Sequence, residues 1–477
     1  MTDVLGEVPT SAEPAAPTTR SFRRLQGGRS AGFDAWVRLT SALCLWAGLL
    51  LVSYWWIADG GVQDLRSWAA GITSLGRITG LLAAQLLLVQ VLLMSRLPLL
   101  EHAFGRVRLA HLHRLIGLWS FGLMITHIVT IVAGYASVRW LLIPATLWQL
   151  LTDYAGVLLA GAGALSLIMV VATSIKLSRR RLRYESWHLL HLYGYLGVAL
   201  ALPHQLWTGQ EFISRPAATV YWWGLWAATA GAVITWRIGL PLWRAVRFRL
   251  RVVAVTWEAK DVVSVKMTGR RLDRLAVDPG QFINVRFLTL PGWTRANPFS
   301  LSAAPDGQSL RITAKVIGDG TARIAQLRVG TPVLFEGPYG RLSSRARTRS
   351  KVLLAGAGVG ITPLRALAEG LSYEPGDVVL LQRYGEAPLF AREFDRIRAE
   401  RGLRVFGLPG RRGRAESLFG PITDGVDELT ALLRTVPDLA DHDVFVCGPS
   451  GWNRGMVRLM TRAGVPAHQI HVESFAW

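Results

Sequence analysis

The sequence predicts a membrane α-helical bundle of six helices, then an antiparallel β-barrel, then an α/β doubly wound domain. Three observations predict it. Six long apolar stretches fill residues 34–243. Short segments of alternating apolar and polar residues, divided by turn residues, occupy 244–345. From 346 to 477 strand patterns alternate with helical ones, as a parallel sheet requires. Residues 1–33, rich in Pro, Ala, Thr and Gly and without an apolar run, predict a disordered cytoplasmic tail.

Composition supports this division. Hydrophobic residues make up 51% of the chain and the mean hydropathy is +0.30, which favours a membrane protein over a large soluble one. The net charge is +21. Because the cations cluster beside apolar stretches, the charge speaks for membrane topology and against nucleic-acid binding. The two cysteines, Cys44 and Cys447, rule out a disulfide framework and any four-cysteine metal site. The first apolar run begins near Trp36 and is long enough to span, so no cleavable signal peptide is expected.

The spans are expected near 36–57, 71–95, 110–134, 153–175, 185–204 and 217–240. Arginine and lysine crowd the tail (Arg20, Arg23, Arg24, Arg29) and the second loop (Arg96, Arg106, Arg108). They recur in the fourth loop (Lys176, Arg179, Arg180, Arg181, Arg183) and after the last span (Arg237, Arg244, Arg247, Arg249). The other loops carry only Arg66, Arg139 and Arg215. Both termini are therefore expected in the cytoplasm of a multi-pass cell-membrane protein. Trp55, Trp56, Tyr221, Trp222 and Trp223 fit either interfacial belts or apolar filling.

The third span carries His113 and His127, fourteen residues apart, so roughly 21 Å along the axis and within roughly 40° of one face. The fifth offers His191 and His204, roughly 20 Å apart. Imidazoles inside membrane helices usually face a bundle interior. Two facing helices with histidines at matched depths can hold two haems, each between two imidazoles. Depth pairs His113 with His191 near the inner face and His127 with His204 near the outer. His111 and His188 compete for the inner site. On a straight helix His204 lies well over 90° from His191, so the outer pair needs a kink or rotation at Pro203.

The barrel strands are read in RFRLRVVAV, VVSVKM, QFINVRF, FSLSAA, LRITAKV and PVLFEG. The parallel strands are KVLLAGAG, VVLLQRYG, LRVFGL, DVFVCGP and IHVESF, with helices from Pro363 and near 390–400, 425–435 and 452–463. Gly356-Ala357-Gly358-Val359-Gly360-Ile361-Thr362-Pro363 closes a strand and opens a helix, where backbone N–H groups can approach a pyrophosphate. Ile361 stands where a third glycine would complete the GxGxxG pattern.

Further motifs follow the chain in order: Pro279-Gly280-Gln281-Phe282, Asn297-Pro298-Phe299-Ser300, Gly318-Asp319-Gly320-Thr321, Gly337-Pro338-Tyr339-Gly340, Cys447-Gly448-Pro449 and Glu473-Ser474-Phe475. In this order they resemble the ferredoxin–NADP reductase superfamily. Joined to a six-helix, four-histidine membrane half, residues 36–477 resemble the ferric reductase / NADPH oxidase family. The resemblance implies a chain that binds FAD, NADPH (NADH being possible) and two haem b. Phe299 would lie against the flavin ring and Ser300 would hydrogen-bond near its reactive nitrogen. Asn297 replaces the family's usual histidine, and Arg295 or Lys315 could supply the missing charge. Gly318 to Thr321 would face the flavin phosphates, while Gly358, Gly360 and Thr362 would hold the nicotinamide cofactor's pyrophosphate. Cys447 and Glu473 would flank the nicotinamide. Phe475 matches the aromatic that covers the flavin, a role that Trp477 could share. Arg383, or Arg411 and Arg412, would meet an adenosine 2′-phosphate.

A nicotinamide yields two electrons at once and a haem takes one, so a flavin must stand between them. The expected activity is NAD(P)H oxidation inside and reduction of an acceptor outside. A ferric chelate is favoured and dioxygen is the alternative. A reading of another class is an electron-transfer subunit serving a quinone or a partner protein.

Overall fold

The structure is a computed structural model that describes residues 27–137, 139–175, 184–213, 215–289, 296–340, 342–410, 417–420 and 426–474. Of the residues singled out above, Arg20, Arg23, Arg24, Lys176, Arg179–Arg183, Arg295, Arg411, Arg412, Phe475 and Trp477 lie outside the described residues. The chain divides into two compact units, Asp34–Leu240 and the described part of Pro241–Trp477.

The first unit is helical. Its long helices are α1 (Gly27–Ala58), α2 (Trp68–Leu93), α3 (Arg106–Tyr135), α4 (Val157–Ser174), α5 (Tyr184–Trp207) and α6 (Pro216–Ala232). Pro216 opens α6 at a position where its missing N–H costs nothing. A π-helical segment, Val233–Gly239, leads from α6 into α7 (Leu240–Phe248). Five helical stretches are long and apolar enough to cross a membrane: Gly32–Ala58, Trp68–Leu93, Arg108–Tyr135, Val157–Ser174 and Pro216–Phe248. The sixth expected span, α5, forms as a helix but is not among them, since its histidines, Glu185 and Gln205 dilute its apolar content. Helix α2 packs along α3 and α4 along α5, around a core that includes Val52, Leu81, Leu88, Leu167, Val198 and Trp222. Leu43, Trp46, Leu50, Trp119 and Leu165 point outward and exposed. Apolar surface on that scale is what a lipid-facing bundle presents.

In the second unit, β1 (Arg251–Ala259), β2 (Val262–Thr268) and β5 (Ser309–Lys315) form one antiparallel sheet in the order β1-β2-β5. Strands β4 (Asn297–Ser300), β3 (Phe282–Phe287) and β6 (Val333–Tyr339) form another, in the order β4-β3-β6. Bridges at Arg251–Pro332 and Leu301–Ile312 join them around one core containing Val263, Val265, Ile283, Val285, Ile312 and Phe335. Alternating residues supply that core, as the period-2 pattern requires.

Strands β7 (Lys351–Ala357), β8 (Val378–Arg383), β9 (Arg404–Leu408), β10 (His442–Gly448) and β11 (Ile470–Ser474) form a parallel sheet, order β11-β10-β7-β8-β9. Helices α8 (Ile361–Gly370), α9 (Ala391–Arg401), α10 (Glu428–Thr435) and α11 (Ser450–Arg462) complete it. Along β7, Leu353 and Ala355 join one core and Val352 and Leu354 the other. Burial on both faces explains why these strands read as unbroken apolar runs.

Candidate functional site

The helical unit brings its histidines together in pairs. On α3, His113 Nδ1 stands 3.0 Å from the Gln90 carbonyl and His127 Nδ1 stands 2.8 Å from that of Gly76. A carbonyl only accepts, so each Nδ1 carries the proton and each Nε2 is left as a lone-pair donor. Gly76 and Gln90 are themselves fourteen residues apart on α2, so one helix orients both rings. On α5, His191 Nδ1 lies 3.2 Å from the hydroxyl of Ser174 at the end of α4, which donates to the Val170 carbonyl and so accepts from the ring, putting its lone pair on Nε2 as well. The His113 and His191 ring centroids lie 6.0 Å apart. His111 is exposed on the opposite side of α3, and His188 packs beside Trp187. His204 follows Pro203 within an unbroken α5 and is half-buried. The start of α4 meets α5 here: Gly156 has φ +80°, and a Cβ on it would come within 2.7 Å of the His204 nitrogen. Only glycine satisfies both demands.

These residues fit a haem. Imidazole–metal bonds of about 2.0–2.1 Å on either side of one ion place two ring centroids roughly 6 Å apart. An axial histidine ordinarily gives its other N–H to a backbone carbonyl, hydroxyl or carboxylate, which is the arrangement of His113, His127 and His191. Among the described residues no three His, Cys, Asp or Glu side chains gather as a metal cluster.

At the His127 and His204 end of the bundle, Arg77 lies within a span. It pairs with Glu211, which is buried, and with Asp64 at 3.0 Å. Arg215 pairs with Asp59 at 2.7 Å. The pairing of Arg77 with Glu211 spans 134 residues, so local sequence does not reveal it. The one available signal was a lone charge inside an apolar helix.

In the second unit, β4 lies antiparallel to β3, with Asn297, Pro298, Phe299 and Ser300 opposite Val285, Asn284, Ile283 and Phe282. Phe299 packs partly on the barrel core. Ser300 is 3% exposed and its hydroxyl has no hydrogen-bond partner among the described residues, as expected of a group that awaits a ligand. Tyr339 pairs with Phe282 across β6 and β3, their rings 5.7 Å apart. Gly337 accepts from Arg244, and the Glu473 carboxylate lies beside Gly340.

Two further expected flavin contacts lie at the end of β5 and in the turn after it. Gly318, Asp319, Gly320 and Thr321 form the start of a six-residue helix, and the Thr321 hydroxyl accepts from the Ile317 and Gly318 N–H groups. The Thr321 and Ala322 N–H groups bond to the Gly318 carbonyl. The donors left for phosphate oxygens are those of Asp319 and Gly320. Lys315 pairs with Asp261 at 3.1 Å, both half exposed.

The parallel sheet assembles the nicotinamide end. Its register places Gly356, Cys447 and Glu473 side by side across β7, β10 and β11. Gly358 has φ +57°, and a Cβ on Gly360 would run into the Cys447 carbonyl, so the turn must be glycine to pass the end of β10. Thr362 is buried and donates to the Val359 carbonyl at 2.9 Å, and Pro363 sits in the first turn of α8. Gly448 packs against Ala357 and Trp452 ahead of Pro449. Cys447 is fully buried. Burial, and then the Glu473 carboxylate, push its thiol well above the usual range, so it is neutral. Asn453, which sequence reading did not select, donates to the Glu473 carbonyl at 2.9 Å. Arg383 ends β8 but is buried. Its Nη1 donates to the carbonyls of Leu408 (2.9 Å) and Pro409, while its buried Nη2 has no partner among the described residues.

A multi-pass apolar helical region is joined to an antiparallel barrel and a doubly wound sheet of the oxidoreductase class. The family described as ferric reductase like transmembrane component matches residues 79–202, from α2 into α5. Ferredoxin–NADP reductase B of Sorangium cellulosum is 30% identical over 217 residues, covering 42% of this chain and 85% of that protein. A flavohemoprotein of Chromobacterium violaceum is 28% identical over 214 residues (42% and 53%). An NADPH oxidoreductase of Mycobacterium tuberculosis is 27% identical over 248 residues (50% and 62%). The chain thus spans less than two thirds of the length of the last two. Through its reductase module the chain belongs to the ferredoxin–NADP reductase family, and its membrane half is similar to the ferric reductase like transmembrane component.

Proposed function

We propose that the chain passes electrons from cytoplasmic NADPH, through FAD and two b-type haems, to an acceptor at the outer face. Bound FAD supplies the exchange of one hydride for two single electrons, and bound haems supply one-electron carriage across the apolar layer. The reading assigns Ser300 to a hydrogen bond at the flavin, with Phe299 and Tyr339 beside the ring. Neutral Cys447 and Glu473 flank the nicotinamide, and Phe475 and Trp477 cover the flavin. Gly358, Gly360 and Thr362 receive the nicotinamide cofactor's pyrophosphate, Asp319 and Gly320 the flavin's, and Arg383 Nη2 the 2′-phosphate. His113 with His191, and His127 with His204, would hold the two haems. Six helices cross the bilayer with both termini in the cytoplasm. The four parts are a tail (1–33, of which Gly27 onward already opens α1), a haem domain (34–243), an FAD domain (244–345) and an NAD(P) domain (346–477).

The observation that carries this reading is the 6.0 Å apposition of His113 and His191, each held through its Nδ1. The preferred acceptor is a ferric chelate, which the matching membrane family supports. Dioxygen is the second reading, because Arg77 and Arg215 at that end are neutralised by carboxylates and offer little to an anionic chelate.

The test is the spectrum of the purified protein, with haem and flavin quantified per chain before and after anaerobic NADPH. Two b haems and one flavin, with haem bands that NADPH reduces, are expected. Flavin that is reduced while haem stays oxidised would overturn the path and favour a subunit serving a quinone or partner protein.

A further inference from the structure

Outside the redox machinery, one cavity of about 300 Å³ is lined by Trp243, Val246, Arg247, Arg249, Arg270 and Arg271. It lies where α7 meets the loop that follows β2. The Arg270 N–H donates to the Phe248 carbonyl at 2.6 Å, and Phe248 is itself sunk into the barrel core, so the two walls are fixed to each other. Four arginines therefore line one small space.

Elsewhere in the chain arginines meet carboxylates: Arg96 with Glu101, Arg286 with Glu336, Arg311 and Arg365 with Glu393, Arg345 with Asp278. Among the described residues none of these four does. The one side-chain bond they make is from Arg249 Nε to the Val246 carbonyl, at 3.3 Å. The dipole at the C-terminus of α7 accounts for cations at Arg247 and Arg249. It does not account for Arg270 and Arg271, which arrive from another element. Moreover, Arg249 (φ +45°) and Arg271 (φ +54°) both hold left-handed backbone conformations. Such strain in non-glycine residues gathers at ligand clamps, where the surroundings enforce it.

The apolar side of the cavity identifies the ligand. Helix α7 closes the 33-residue stretch Pro216–Phe248, which is long and apolar enough to cross a membrane. It exposes Leu242 (58%), Trp243 (54%) and Val246 (69%). A free anion has no use for that surface, whereas an acyl chain has. Guanidinium forks suit phosphate oxygens, and tryptophan favours the headgroup level. The geometry points to a binding site for the phosphate headgroup of an anionic phospholipid, with Trp243 and Val246 against its glycerol and upper acyl region.

The test uses the full-length protein, reconstituted in bilayers of phosphatidylglycerol and phosphatidylcholine in equal amounts and then released for native mass spectrometry. Wild type is expected to retain phosphatidylglycerol selectively. R270Q/R271Q is expected to retain about tenfold less, on the scale of two cations removed from an anionic surface. R270K/R271K keeps the charge and is expected to keep most of the binding. NADPH-dependent reduction of ferricyanide, read in parallel, verifies that each variant is folded. Equal retention of the two lipids, or undiminished retention by folded R270Q/R271Q, would overturn the site. Inorganic phosphate that binds the lipid-free protein and displaces phosphatidylglycerol would overturn the lipid assignment in favour of a free anion.

Discussion

Individual side chains here are defined by what satisfies them. Cys447 is enclosed by β7, β10 and β11, and burial holds its thiol protonated well above the usual range. The raised value means that the neutral form is the native one below and through ordinary alkaline pH, and that native stability declines only as pH climbs beyond the free-thiol range. Iodoacetamide at pH 8.5 should therefore leave Cys447 unlabelled in the folded protein and label it after denaturation, as read by peptide mass spectrometry. Labelling of the native protein would contradict a neutral thiol beside the nicotinamide. Arg383 combines two tasks. Its Nη1 ties the carbonyls at the end of β9, and its buried Nη2, without a partner among the described residues, is proposed for the 2′-phosphate. Arg383→Ala is expected to narrow the NADPH/NADH preference about tenfold, as one charge-assisted bond allows, and also to lower stability. An unaltered preference in a destabilised variant would make the residue purely structural. The histidine spacing was legible in the sequence, but the choice between His113 and His111 was not. It depends on which side of α3 meets the Gln90 carbonyl, a contact between residues far apart in the chain.

At the scale of elements, legibility followed periodicity. The five parallel strands were readable because each runs apolar, or alternates, over a complete strand, while FSLSAA overlaps β4 only at Phe299 and Ser300 and RFRLRVVAV begins before β1. Helix α7 and the π-helical Val233–Gly239 were read simply as the end of a span, since composition does not reveal a change of helical pitch. The tie between barrel and parallel sheet was equally hidden. Arg365, 2% exposed on α8, donates to the Ser302 carbonyl two residues beyond Ser300 and contacts Glu369 and, at 2.6 Å, Glu393. Arg311 on β5 bonds both the Ser302 carbonyl and Glu393. The flavin strand and the helix behind the pyrophosphate turn are thus held by one ion network. Burial alone would raise the Glu393 carboxyl, but the hydrogen bonds from Arg311 and the charge of Arg365 outweigh it and hold the carboxyl low. A lowered carboxylate contributes stability above the ordinary carboxyl range and loses it as pH falls through the depressed value. Glu393→Gln should cost about 1.5–3 kcal/mol in chemical unfolding of the reductase module at neutral pH, and the gap to wild type should close in acid. It should also slow hydride transfer to the flavin more than it weakens nicotinamide binding, which stopped-flow absorbance resolves. A gap that persists in acid would exclude the ionised carboxylate as the source.

At the scale of the whole molecule, the order of parts in the chain is also the proposed order of electron flow, read backwards from the C-terminus. Nicotinamide-binding sheet, flavin barrel and histidine-bearing bundle succeed one another without a separate partner chain. What limits such a chain is its weakest link, and the two histidine pairs are distinguishable links. His113→Ala removes one side of the pair whose rings stand 6.0 Å apart, and His204→Ala removes one side of the pair at the Arg77 end. In both variants NADPH should still reduce the flavin at the wild-type rate, because Ser300, Cys447 and Glu473 belong to the other unit. Beyond the flavin the two variants should differ. His204→Ala is expected to retain one haem that NADPH reduces, while transfer to a membrane-impermeant ferric chelate falls at least a hundredfold. His113→Ala is expected to leave its remaining haem oxidised under anaerobic NADPH, because the electron never reaches it. Haem quantified per chain, with stopped-flow spectra at the flavin and haem bands, reads both outcomes in one experiment. If the two variants behaved identically, with one haem reduced in each, the pairs would not act in series. The bundle would then hold two independent centres instead of a path.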